Sequence, residues 1–393
     1  MNPNRTSTTT RVPATYMRGG TSKGVFFVDT DLPQDPTLRD RLLMRIMGSP
    51  DPYGKQIDGM GAATSSTSKV VILSRTSRSD SDIAYRFGQV AIDSPHIDWS
   101  GNCGNLTTAV APLAISLGLV KAPAEGIATV RMWQANLGKR IIAHVTMQAG
   151  EVVEAGDFEL DGVTFAAAEI RLEFLEPGGG GEADQGDVAM LPSGRVLDLL
   201  DIPGLGTVEL TLLNAGNPTV FIAAQALGLT GTELQSDINS RPELLARLEA
   251  VRAHGAVAMG IASSVEDASR SHRVVPRLCF VAPAQDYQAS NGRRVSASSI
   301  AFNARIISVG QLHHAMTGTG AIALSVAAAL PGSVVNRVLK PDTETTHLVF
   351  GHPSGTLAVG AQLSQRDGQW TVERSVMSRS ARRLMQGWVF ACV

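Results

Sequence analysis

The chain has 393 residues, 44% of them hydrophobic and 18% charged, with a formal net charge of −2. That length suits two domains of about 200 residues better than one compact unit, and the apolar share is enough for packed cores and excludes a disordered chain. A charge near zero, with no basic stripe, argues against nucleic acid as a partner.

No stretch approaches the roughly 20 apolar residues of a membrane span, and the N-terminal MNPNRTSTTTRVPATYM lacks the apolar core of a signal peptide. A soluble, cytoplasmic protein is expected. The three cysteines, Cys103, Cys279 and Cys392, are too few and too scattered for a disulfide framework or a zinc site. Cys279 lies in the apolar run Leu278–Val281 and reads as a buried structural thiol. Cys392 stands near the chain end and is expected to be inert.

In chain order, the patterns predict a strand at Gly24–Val28, a helix at Thr37–Met47, and strands at Lys69–Leu73 and Ile83–Ile92. A helix follows at Leu106–Leu117, then strands at Ala128–Trp133, Lys139–Met147, Thr207–Leu213 and Thr219–Ala223. The second half adds a helix at Arg241–Gly255, a strand at Arg277–Val281, helices at Ser299–Val309 and Gly320–Leu330, and strands at Thr345–Phe350 and Trp370–Ser375. Strands grouped around few helices predict an α+β fold and not alternating βαβ units. Leu106–Leu117 and Gly320–Leu330 are apolar on all sides and so must be buried on all sides. One such helix per half predicts two similar domains, each a sheet wrapped around a central helix. The junction is expected near Leu200–Gly204, giving domains 1–202 and 203–375, with 376–393 returning to the first. The run Gly178–Gly181 within EPGGGGEADQGD reads as a surface loop, because it lacks the strand, helix and Lys/Ser spacing of a phosphate cradle.

Candidate chemistry gathers at the starts of the two apolar helices. In Gly101-Asn102-Cys103-Gly104-Asn105 a thiol precedes a helix whose first N–H groups lack internal partners, a setting that attracts carboxylates and acidifies a thiol. Taken alone, the same pattern equally describes a helix turn with a buried cysteine. Thr317-Gly318-Thr319 repeats the arrangement with a hydroxyl in place of the thiol, and a hydroxyl is too weak an acid or base for a carbon proton. Lys69 opens an apolar strand after the hydroxyl-rich Thr64–Ser68, with Ser66 as a candidate contact. Burial there would make its amine a usable base, whereas a surface position would leave it an ordinary cation. Arg18, Gly19, Thr21 and Ser22, with Lys23, could hold a carboxylate. The turns around Asn217 and around His352, Ser354 and Gly355 read either as backbone anion grips or as ordinary tight turns. His313 and His314 are candidate polar contacts. No His, Asp or Glu spacing matches a metal ligand set, so no metal is expected.

The segments MRGGTSKGVFF, DGMGAATSSTSK, DWSGNCGN, WQANLGK, NAGNPTVF, GHPSGT and MSRSARRLMQGWV together resemble the PrpF family of 2-methylaconitate cis–trans isomerases, in order and over nearly the whole chain. The resemblance implies a fold like that of diaminopimelate epimerase: two pseudo-symmetric domains, each a barrel-like sheet around a central helix, with the active site in the cleft between them. It also implies Lys69 and Cys103 as the catalytic acid/base pair. Asn102, Gly104, Asn105, Thr317, Gly318 and Thr319 are then substrate contacts, and no metal or organic cofactor is required. Where the epimerase has a second Cys-Gly-Thr-Gly-Ala turn, this chain has Thr317, which stands against a two-thiol mechanism. The implied functional partner is an iron–sulfur methylcitrate dehydratase of propionate breakdown, and a homodimer stays open. Two other readings remain: a 4-oxalomesaconate tautomerase, or a non-catalytic accessory of the dehydratase.

Overall fold

A strand with both faces covered reads as an unbroken apolar run, and this chain has several, among them Val25-Phe26-Phe27, Val70-Val71-Ile72-Leu73 and Leu278-Cys279-Phe280-Val281, all buried. The structure, a computed structural model, describes residues 9–179, 189–366 and 368–392. Gly180 and Gly181 of the expected glycine loop, and residues 1–8, lie outside the described residues.

One nineteen-stranded sheet dominates the described residues. Setting aside its three two-residue strands, the first run is β1 (Thr9–Gly19), β2 (Ser22–Val28), β3 (Lys69–Ser74), β4 (Ile83–Val90), β5 (Gly126–Gln134), β6 (Lys139–Gln148) and β7 (Ile170–Leu175). The second run is β8 (Asp198–Ile202), β9 (Gly206–Ala215), β10 (Asn217–Ala223), β11 (Arg277–Pro283), β12 (Phe302–Ser308), β13 (Leu348–His352), β14 (Gly355–Arg366) and β15 (Gln369–Arg379), and β16 (Ala381–Cys392) closes the chain. The principal helices are α1 (Pro36–Met47), α2 (Gly104–Ser116), α3 (Pro242–Ala258) and α4 (Gly318–Ala329).

Pairing follows chain order in both runs. β1 to β7 are joined neighbour to neighbour, with β2–β3 and β4–β5 parallel and the other pairs antiparallel. In the second run β10–β11 and β12–β13 are the parallel pairs. β16 pairs with β1 as β8 pairs with β9, and β7 pairs with β15 to join the runs. α1 and α3 occupy matching connections, as do α2 and α4. A duplicated architecture is therefore written in the pairing itself. We propose the two runs as the two domains, with β16 returning to the first; β8, which ends at the expected junction, pairs into the second.

α2 and α4 lie inside their sheets, with Leu106, Val110 and Leu113 on one and Ile322, Leu324 and Val326 on the other buried in a shared apolar core. Fully burying each such side chain contributes about 1.5–3 kcal/mol. α1 and α3 cover the outer faces, packing on Val25, Phe27, Val70 and Ile72 and on Val220, Ile222, Leu278 and Phe280 respectively. The structure corrects one expected element. Ser299–Val309 is not a helix, because Phe302–Ser308 forms β12, buried along its whole length between β11 and β13. A short apolar run covered on both faces carries no periodicity that separates helix from strand.

Candidate active site

The two central helices meet start to start. Cys103 is the N-cap of α2 and Thr317 the N-cap of α4. A Cβ on Gly104 would lie 2.8 Å from the carbonyl carbon of Gly318, and one on Gly318 would strike the backbone of Gly104 and Asn105. Only glycine permits this approach, which brings two partially positive helix starts together and so favours an anion. Thr317 Oγ1 accepts the Gly320 N–H at 3.1 Å, which commits its hydroxyl to the cap. Cys103 makes no such cap bond, and its thiol lines the crevice.

That crevice is walled by Lys69, Cys103, Arg277, Ser308 and His313, with Gly104, Asn105, Thr317, Gly318 and Thr319 from the helix starts and Ser22 and Ser65 from the first lobe. Its volume is about 10 Å³, room for roughly one water, so a polycarboxylate enters only if the walls move. Lys69 is 4% exposed and Cys103 6%. The Lys69 ammonium donates to Gln89 Oε1 at 2.5 Å and sits 5.0 Å from the Phe87 ring centre. Gln89 is held in turn by donating to the Ser68 carbonyl at 2.8 Å. Burial lowers the Lys69 pKa to about 8; Cys103 opposes that shift and Arg277 assists it. Burial, with His314, Arg277 and Lys69 nearby, keeps the His313 imidazole well below its usual range and therefore neutral.

Arg277 and Ser308 were not singled out from sequence. Arg277 opens β11 as Lys69 opens β3, which was the available signal: a long cation at the head of an apolar strand. Its Nη1 donates to Ser308 Oγ at 3.1 Å, while its Nε has no partner. Arg379, at the end of β15, is 1% exposed with Nε and Nη2 unpartnered, and burial lowers its pKa to about 10 with Cys103 opposing. Among the described residues, no Asp or Glu lines the crevice. Buried guanidinium groups without counter-ions are costly, and a bound carboxylate would relieve them.

The remaining expected contacts are placed as follows. Gly19 lets β1 approach α2, since a Cβ there would lie 2.6 Å from the Asn105 carbonyl oxygen. Asn105 donates to Thr21 Oγ1 at 3.0 Å. Asn102 turns its side chain inward, accepting the Cys103 N–H at 2.7 Å, and both its backbone groups pair with the Asn217 amide at 3.1 Å. Asn102 and Asn217 thus fasten one lobe to the other and do not line the crevice. Arg18 donates to the Ser380 carbonyl at 2.7 Å and to the Gly20 carbonyl and Ser380 hydroxyl at 3.1 Å, and it faces a separate, larger cavity with Thr21 and Ser66. Ser66 Oγ meets His313 Nε2 at 2.9 Å across the lobes.

The two turns read as possible anion grips bind the chain itself. The Asp161 carboxylate accepts the Thr356 N–H at 2.6 Å beside Gly355. His352 is buried within its own loop, where its Nδ1 accepts the Ser354 N–H at 3.2 Å, and Ser354 Oγ donates to the His314 carbonyl at 2.6 Å. The Gly216 N–H is taken by the Pro177 carbonyl at 3.0 Å. Sequence cannot show that an anion site is already filled from within.

A family model described as PrpF protein matches residues 9–392. The chain belongs to the PrpF family. This PrpF chain is 55% identical over 386 residues to 2-methyl-aconitate isomerase of Cupriavidus necator, covering 96% of each chain. It is 36% identical over 383 residues to 4-oxalomesaconate tautomerase of Pseudomonas putida, covering 97% of this chain and 96% of the relative. The crystal structure of methylitaconate-delta-isomerase superposes with a TM-score of 0.78 at 34% identity, over 98% of this chain and 96% of that one. A hydroxyproline epimerase from Agrobacterium vitis shares the fold alone, with a TM-score of 0.55 at 12% identity over 100% of this chain and 95% of that one. The expected epimerase-like α+β fold is thus the fold observed. Among the described residues no group of three His, Cys, Asp or Glu side chains converges, and no helix is long and apolar enough to cross a membrane.

Proposed function

We propose that this chain interconverts isomers of a small unsaturated polycarboxylic acid, 2-methylaconitate first among them, by moving a proton at an allylic carbon. The observation that carries the reading is the Lys69 amine, buried, with its pKa lowered to about 8, and sharing one crevice with Cys103 where both helix starts converge. Uncharged Lys69 takes the proton from carbon next to the double bond. The electron pair spreads into the neighbouring carboxylate, whose growing charge is met by the helix starts and Arg277, the main source of barrier lowering. Rotation or a double-bond shift follows, and Lys69 or Cys103 returns a proton. Of the two, the amine is the stronger candidate for base. The 55% identity to a 2-methyl-aconitate isomerase supports this substrate.

The 36% identity to a tautomerase of 4-oxalomesaconate supports a second substrate reading with the same chemistry. A purely accessory role for the chain would not need a desolvated amine beside a thiol. We also infer a cytoplasmic setting from the sequence, and the family resemblance adds a dehydratase as functional partner. The test is proton NMR in deuterated water with each acid in turn. Isomerisation with deuterium uptake, lost in Lys69→Ala, supports the reading, and the faster acid names the substrate. Equal turnover by Lys69→Ala sinks it.

A further inference from the structure

Arg382 on β16, Arg18 on β1 and Lys23 on β2 stand directly opposite one another across three adjacent strands. Directly opposed like charges on one sheet face are unfavourable, so a row of three needs a compensating partner. All three line one cavity of about 560 Å³, within the size range of small-ligand sites. Among the described residues its one carboxylate, Glu154, lies 3.6 Å from Arg383, outside the row. Among the described residues, neither Lys23 nor Arg382 has an acidic partner, although Lys23 sits 5.6 Å from the Tyr16 ring centre. Arg18 is pinned by Ser380, so the row is rigid at its middle. The Arg382 charge reinforces burial in lowering the Arg18 pKa to about 10, a sign that the row is short of negative charge.

The cavity adjoins the reaction crevice. Ser22 lines both. The Ser66 carbonyl accepts the Lys23 N–H at 3.0 Å, while its hydroxyl meets His313 of the crevice wall. Val163, Phe165 and Leu384 add apolar lining to the same cavity.

We propose that this cavity is an anion port, a docking site distinct from the crevice that takes the carboxylates of a small polycarboxylate before it reaches Lys69. The port rests on the reading of the crevice as a polycarboxylate site, and its experiment separates the two. Tricarballylate, a saturated tricarboxylate that cannot be isomerised, is titrated calorimetrically into the wild-type chain and into the Lys23→Gln/Arg382→Gln double variant. Binding is expected to weaken by about tenfold or more in the double variant, and to weaken with salt between about 50 and 300 mM more steeply in the wild type than in the variant. Arg382→Lys, which keeps the charge, should bind within about threefold of wild type, showing that charge and not strand packing is read. Equal binding by wild type and double variant, no binding by wild type, or equal loss in Arg382→Lys overturns the port. Lys69→Ala reports separately on the crevice. If it turns over substrate like wild type, the catalytic reading fails, whatever the titration shows.

Discussion

Lys69 and Arg277 hold the same position in the two halves of the fold. Each opens the inner parallel strand of its lobe, Lys69 on β3 beside β2 and Arg277 on β11 beside β10. Each side chain is held by a polar residue on the following antiparallel strand, Gln89 for Lys69 and Ser308 for Arg277. The duplicated architecture thus delivers two cations to one crevice, from opposite sides. One of them can lose its proton near neutral pH and the other cannot.

The pH profile should show that division. Lys69 is a base only when neutral, so kcat/KM should rise by about tenfold per pH unit toward a plateau above the Lys69 pKa of about 8. Arg277→Gln removes a cation that disfavours the ammonium, so the rising limb should move to higher pH. Gln89→Glu places a carboxylate against the ammonium and should move it the same way. Initial rates between about pH 6 and 10 check both signs.

Gln89→Leu tests orientation apart from charge. The amide fixes one N–H of the amine and so aims its lone pair away from β4. Without it, kcat should fall roughly 10- to 100-fold with little change in KM, because misplacing a catalytic group costs rate more than binding. Steady-state kinetics with a thermal melt as folding control checks this.

Gly318→Ala should fail for steric reasons. The added methyl meets backbone atoms of Gly104 and Asn105, which cannot swing aside. The expected loss is about 1–3 kcal/mol, with reduced activity as the helix starts separate. Denaturant unfolding measures it.

Asp161→Ala tests whether the loop at Gly355 is held by an internal anion. Removing the carboxylate leaves the Thr356 N–H and the Arg293 guanidinium unpartnered, and the expected cost is about 1–3 kcal/mol. Asp161→Asn, which keeps an acceptor, should recover most of it. Paired melts decide.

Much of this architecture was readable in advance, for reasons that also explain the gaps. All-round apolarity marked α2 and α4, and glycines beside Cys103 and Thr317 marked the starts that meet. Lys69 stood out as a cation heading an apolar strand. Arg277 did the same thing, yet it drew no notice until strand pairing showed it in the position that Lys69 holds in the other half. β12 was misread because burial on both faces erases the alternation that identifies a strand. The internal partners of the two turns, Asp161 and the Pro177 carbonyl, were not legible because they lie far away in sequence. The row formed by Arg382, Arg18 and Lys23 exists only once β16 has returned to β1, across more than 350 residues.

The central claim is that the Lys69 amine, in its closed crevice, gives up its proton far more readily than an ordinary lysine. Its titration can be followed directly by NMR of chain carrying 13C-labelled lysine side chains, with the Lys69 signal assigned by its loss in Lys69→Arg. The account predicts a midpoint near 8. A midpoint at the ordinary lysine value of about 10.4 would contradict it, because such an amine stays charged and cannot take a proton from carbon at neutral pH.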